Sequence, residues 1–235
     1  MKFSKKHCVK LLKNRKLILI CDIDETLINT MPFNSITQSL TLHDVYYYKI
    51  DKYYYYITKM RPKLFEFLDN MFEKFELHVI SHGEKMYIKN IMSLIDPAKK
   101  LFGKRITTRE KLNGHSKLKA LHKHFPSFRN MICIIDDRTD VWECSDQVIR
   151  VPPYNFLKKL IMNLSFTNGL EYEEDSDDCL DNITNILFEI HEEFFKLISP
   201  KIVENKFSNV TQDDLPDISE IIKTIFGTNT YLARV

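Results

Sequence analysis

Three short apolar runs, at residues 16–21, 77–80 and 131–135, each break off into polar residues, and helix-length stretches separate them. Such runs suit strands buried on both faces, and strands alternating with helices give a parallel sheet covered by helices. Residues 148–151 supply a fourth candidate strand. After Pro62, the side chains of Leu64, Phe65, Leu68, Met71, Phe72 and Phe75 recur at helical spacing. A helix over 86–95 is stopped by Asp96-Pro97, and another carries Leu118 and Leu121 and ends near Pro126. Residues 45–50 and 53–57 flank Asp51-Lys52 and predict a β-hairpin rich in tyrosine. Its bland reading is packing of one aromatic face; its functional reading is a wall for an extended, proline-containing peptide. Beyond residue 181 the pattern is wholly helical, with faces made by Ile186, Leu187, Ile190, Phe194 and Leu197 and by Ile218, Ile221, Ile222, Ile225 and Phe226. The fold expected is α/β, with a parallel sheet, a hairpin insertion and a helical C-terminal appendage.

The charge layout suggests the boundaries. Residues 1–16 hold seven basic side chains and no acid, and residues 171–181 hold seven acids and no base. Charge runs of this kind are expected to be solvated tail and linker. The expected organisation is a basic segment at 1–15, a main domain at 16–160, an acidic linker at 161–181 and a helical segment at 182–235. A net charge of +2 gives no ground for direct nucleic-acid or membrane binding. No apolar run approaches the ~20 residues of a membrane span. The cysteines, Cys8, Cys21, Cys133, Cys144 and Cys179, form no C-x-x-C and are odd in number, so free thiols are expected.

The first run leads into Asp22-Ile23-Asp24-Glu25-Thr26. In extended backbone, residues i and i+2 point the same way, so Asp22 and Asp24 would project together from the carboxyl end of a central strand. That is where open α/β sheets bind ligands. Taken alone the string could equally be capping or turn acids. A calcium loop is excluded, because its sixth and twelfth positions would be Leu27 and Phe33 where Gly and Glu are wanted. The second and third runs end in Ser81-His82-Gly83 and Asp136-Asp137-Arg138, with a basic segment at 109–119 between them. Clusters in this order suit phosphoryl transfer with an aspartate nucleophile and a magnesium ion. Two carboxylates about 4 Å apart repel by ~4 kcal/mol at an effective dielectric near 20, and an incoming phosphate adds to this. A hard dication and a lysine would offset the repulsion.

Asp22-Ile23-Asp24-Glu25-Thr26-Leu27, Arg61-Pro62, Ser81-His82-Gly83, Asp96-Pro97 and the run from Asp136 to Trp142 together resemble the RNA polymerase II carboxy-terminal-domain phosphatases of the haloacid-dehalogenase-like superfamily. The resemblance spans about residues 16–157. It implies a Rossmann-like sheet of the haloacid-dehalogenase type and a catalytic domain at 16–160. Asp22 would be the nucleophile and Asp24 the general acid and base. Lys117 would neutralise the phosphate, with Lys119 as the fallback, and Asp136 would support the site. Ser81, Arg109 and Thr26 would contact the substrate phosphate. Asp22, Asp24 through its carbonyl, and Asp137 would hold Mg2+. The implied substrate is the phosphorylated C-terminal tail of RNA polymerase II, and the implied location is the nucleus. A general transcription factor on the C-terminal helices is a further expectation, as is the lack of a BRCT domain. His82 departs from the family pattern, and Ser81 stands where the family often has Thr. Alternatives are a phosphatase acting on another phosphoprotein or a small phosphate ester, or a non-catalytic adaptor on the same fold.

Overall fold

The computed structural model describes residues 3–33, 45–49, 55–166 and 175–227. The chain begins with α1 (Lys5–Lys13), β1 (Leu17–Cys21), β2 (Ile28–Pro32), β3 (Val45–Lys49), β4 (Tyr55–Met60), α2 (Leu64–Lys74) and β5 (Phe75–Ile80). It continues with α3 (Lys85–Ile95), β6 (Ile106–Thr107), α4 (Arg109–Leu112), α5 (Lys117–His124), β7 (Ile132–Asp136) and β8 (Val148–Arg150). The last elements are α6 (Phe156–Phe166), α7 (Cys179–Leu197), α8 (Pro200–Glu204) and α9 (Ile218–Phe226).

One five-stranded sheet runs in the order β6-β5-β1-β7-β8, with every pairing parallel. The all-apolar β1 sits at its centre and is buried along its whole length. This is the α/β architecture expected, and it places the ends of β1, β5 and β7 side by side. The hairpin is present as an antiparallel pair in which Val45 faces Lys59 and Lys49 faces Tyr55. The turn at Asp51-Lys52 lies outside the described residues. A strand that the sequence did not suggest, β2, pairs with the other edge of β4 and completes a three-stranded sheet.

Two expectations about charged segments are corrected. The basic N-terminal segment is not a solvated tail. Ser4 caps α1 by accepting from His7 N, and Cys8, Leu11 and Leu12 are buried while Lys5, Lys6, Lys10 and Lys13 face water. Phe3 stacks on Phe125 with ring centroids 4.5 Å apart, and His7 Nε2 lies 3.0 Å from Glu76. The acidic stretch is likewise not a plain solvated linker. Its Asp177 receives two hydrogen bonds from the buried Arg61, Asp175 pairs with Lys59 and Tyr154, and Asp181 pairs with Lys63. Helix α6 also runs across the expected boundary at residue 160. Helix α7 packs against α2, and α9 packs against α7, so the C-terminal helices close over the main domain. All five cysteines are free thiols, with only Cys144 exposed. Among the described residues no helix is long and apolar enough to cross a membrane.

Candidate active site

The parallel strands deliver their polar groups to one cleft. Asp22 follows β1, Ser81 follows β5, and Asp136 ends β7 with Asp137 next in line. Asp22, Asp24, Glu25, Ser81, His82, Lys117, Asp136 and Asp137 line its inner part, while the intervening Ile23 is fully buried. The two aspartates thus face the same space, as the i, i+2 spacing predicted. After Asp24 the chain turns back sharply. Glu25 takes a left-handed conformation at φ 59°, and its N–H donates to Ile28 O while Ile28 N donates to Ile23 O. Neither of these bonds uses the Asp24 carbonyl.

Lys117 opens α5 and is only 2% exposed. Its Nζ donates to Asp22 Oδ1 at 2.6 Å and to Asp136 Oδ2 at 2.6 Å. Lys119 faces solvent, so the geometry selects Lys117 of the two lysines. Asp136 is held from several sides: Trp142 Nε1 donates to Oδ2 at 2.7 Å and Arg138 N donates to Oδ1 at 2.9 Å. The Trp142 ring is fully buried and is therefore a packing residue that also orients a site carboxylate. Ser81 Oγ accepts from Gly83 N at 2.9 Å, which fixes the turn after β5.

Two expected phosphate contacts sit elsewhere. Thr26 is fully buried, and its hydroxyl accepts from Asp137 N at 3.0 Å. It organises the Asp137 loop and lies out of reach of a substrate, because the same turn that presents Asp24 directs Thr26 inward. Arg109 lies on the exposed outer rim, where it donates to His82 O at 2.7 Å and pairs with Glu84 at 3.0 Å. That rim continues the cleft past Asp24 to Thr30, Tyr56, Tyr87 and Gly83. Asp96 is structural: its carboxylate accepts from Lys100 N, Leu101 N and Phe102 N in the loop after α3.

The electrostatics are those of a site short of positive charge. Burial raises the Asp22 carboxyl above its usual range; Lys117 pulls it back and Asp136 pushes it further up. Burial also raises Asp24, against the hydrogen bond from Tyr87. Asp137 is pushed up to about 6, chiefly by burial and then by Asp136 and Glu25. Burial disfavours the Lys117 ammonium, but Asp22 and Asp136 outweigh it and hold the proton on. The Lys117 ammonium and Arg138 therefore share a cleft with five carboxylates, those of Asp22, Asp24, Glu25, Asp136 and Asp137. Asp22, Asp136 and Asp137 each offer an oxygen, all within 4.8 Å of one another. An all-oxygen, electron-rich set of this kind fits a hard divalent cation.

Residues 17–193 match the pattern of the NLI interacting factor-like phosphatases. The chain belongs to this family. It is 31% identical over 221 residues to an RNA polymerase II C-terminal domain phosphatase of Caenorhabditis elegans, covering 91% of this chain and 32% of that protein. It is 34% identical over 151 residues to the Homo sapiens protein of the same name, covering 63% of this chain and 16% of that protein. The chain therefore spans a third or less of these relatives' length. A solved structure of Fcp1, an RNA polymerase II CTD phosphatase, superposes with a TM-score of 0.77 at 23% identity over 94% of this chain and 73% of its own. The resemblance read from the motifs thus extends to sequence relatives and fold.

Three residues of this family member escaped the sequence reading as parts of the site. Trp142 and Arg61 were visible as motif residues, but nothing in the string said that they orient Asp136 and the Thr26 loop. Tyr87 gave no signal at all, because its contact with Asp24 depends on how α3 docks.

Proposed function

We propose that this protein is a magnesium-dependent serine/threonine phosphoprotein phosphatase working through an aspartyl-phosphate on Asp22. The observation that supports it best is Lys117 spanning Asp22 and Asp136 beside Asp137 in one cleft. Asp22, the Asp24 carbonyl and Asp137 would hold Mg2+, while Asp136, which accepts from Lys117, Trp142 and Arg138, supports them. The ion, when bound, supplies Lewis-acid stabilisation of the phosphoryl oxygens.

In the first half-reaction Asp22 attacks phosphorus and the bond to the seryl oxygen breaks. Asp24 gives its proton to the departing alkoxide. In the second, Asp24, now a carboxylate, takes a proton from water as the water oxygen attacks phosphorus and the bond to Asp22 breaks. Burial of Asp24 suits both halves, since it favours the protonated form that the first step needs. Lys117 and the turn from Ser81 to Gly83 steady the transferred group's oxygens.

The substrate we infer is the phosphorylated tail of RNA polymerase II, on which the named relatives act. An extended peptide fits a cleft whose rim is exposed at His82, Glu84 and Arg109 and walled by Tyr56. Such a substrate places the protein in the nucleus. The C-terminal helices are a proposed contact for a general transcription factor. The test is phosphate release from a tail phosphoserine peptide. Wild-type protein is expected to require Mg2+ and to stop when a chelator removes it. Asp22→Asn is expected to lose at least about a thousandfold, because an amide is a poor nucleophile. Equal turnover by the two proteins refutes the assignment, and preference for sugar phosphates over the peptide favours a small-ester phosphatase.

A further inference from the structure

Tyr87 is the one side chain hydrogen-bonded to Asp24 among the described residues, and its hydroxyl donates to Oδ1. It sits in the first turn of α3, one residue before the buried stripe of Ile88, Ile91, Met92 and Ile95. The ring has little freedom to move away. It lies against the turn after Ser81, where a Cβ added to Gly83 would come within 2.9 Å of Tyr87 Cδ1 and 2.7 Å of Ile88 Cδ1. Behind the phenol stands a line of hydroxyls from the three-stranded sheet. Tyr87 Oη is 3.1 Å from Thr30 Oγ1, which is 2.7 Å from Thr58 Oγ1, which is 3.2 Å from the Tyr48 hydroxyl. A phenol has one proton to give. Given to Asp24, that proton is not shared with Thr30, and Thr58 gives its own to the Tyr48 hydroxyl, so the cluster packs behind the phenol and holds its oxygen in place.

We propose that Tyr87 is a positioning residue that fixes the Asp24 carboxylate by occupying Oδ1, so that the proton transferred to the leaving group travels on Oδ2. The inference rests on the phosphatase reading above. Without Tyr87, Asp24 rotates among staggered positions and meets the leaving oxygen only part of the time.

Leaving-group dependence separates this role from a merely structural one. Seryl alkoxide must be protonated as it departs; p-nitrophenolate departs without help. Phosphoenzyme formation is therefore measured in a single turnover with a phosphoserine peptide and with p-nitrophenyl phosphate. For Tyr87→Phe the peptide rate is expected to fall roughly tenfold to a hundredfold, and the aryl phosphate rate less than about twofold. Thr30→Val, which removes the hydroxyl 3.1 Å behind Tyr87, is expected to shift the same ratio in the same direction by a smaller factor, and it serves if Tyr87→Phe fails to fold. Equal losses on both substrates, or no loss in either variant, overturns the proposal. Absence of a phosphoenzyme in the wild-type protein with either substrate instead overturns the phosphatase reading beneath it.

Discussion

Lys117→Met is expected to lower turnover of a phosphoserine peptide by roughly a hundredfold to a thousandfold at saturating Mg2+. The ammonium is the only positive side chain bonded to both Asp22 and Asp136 among the described residues, and it is nearly water-free. Removing it leaves a buried carboxylate pair with no counter-charge on that side. Asp22 then gives up its proton less readily, and the phosphate dianion approaches an anionic site. Methionine fills much of the stem volume, so the loss is electrostatic rather than a cavity effect. The matched control is Lys119→Met, two residues along the same helix and exposed, which is expected to stay within about twofold. Steady-state rates on both variants, with thermal melts to show that each is folded, check the contrast. Comparable activity of the two would remove Lys117 from the site.

Asp177→Ala is expected to cost about 3 kcal/mol of stability and to lower the melting temperature by roughly 6–12 °C. Its partner Arg61 is 1% exposed and sits under the site. Arg61 Nε and Nη2 donate to the two Asp177 oxygens at 2.8 and 2.9 Å, Nη1 donates to Thr26 O at 2.9 Å, and Nη2 also reaches Pro152 O at 3.1 Å. Cutting the carboxylate leaves a guanidinium buried with only carbonyl partners. The cost falls at the lower end for buried pairs because Asp177 keeps some contact with water, its side chain being 24% exposed. Arg61→Lys is expected to destabilise as well, since an ammonium cannot serve the carboxylate and two carbonyls in that planar arrangement. Differential scanning calorimetry reads both. A change under about 1 kcal/mol in Asp177→Ala would class the contact with ordinary surface ion pairs. Through Arg61 the acidic stretch also braces the turn that presents Asp24, so activity is expected to fall with stability.

The parts of this structure that were readable from the string are those governed by local pattern. The runs that became β1, β5 and β7 are apolar because both faces are covered, and the acids at their ends follow directly in sequence. Asp22, Asp24, Ser81, Asp136 and Asp137 were therefore nameable, whereas Lys117 came only from the resemblance to the family. What failed was governed by tertiary contact. Strand β2 has three partly exposed residues and includes Pro32, so no strand pattern stands out. In α1 the lysines outnumber three buried side chains, which hides a docked helix inside a basic run. The acids at 175–181 look like a solvated linker because their basic partners, Lys59, Arg61 and Lys63, lie more than a hundred residues earlier. Thr26 shares a motif with Asp24 yet turns inward, since the left-handed Glu25 reverses the direction that simple alternation would give.

The nucleophile itself can be caught. Protein quenched during turnover of a phosphopeptide is reduced with borohydride, which converts an aspartyl phosphate to homoserine, and the peptides are read by mass spectrometry. Homoserine at position 22, formed only with substrate and Mg2+ present, is the expected result. Modification at any other residue, or none while phosphate is being released, contradicts attack by Asp22.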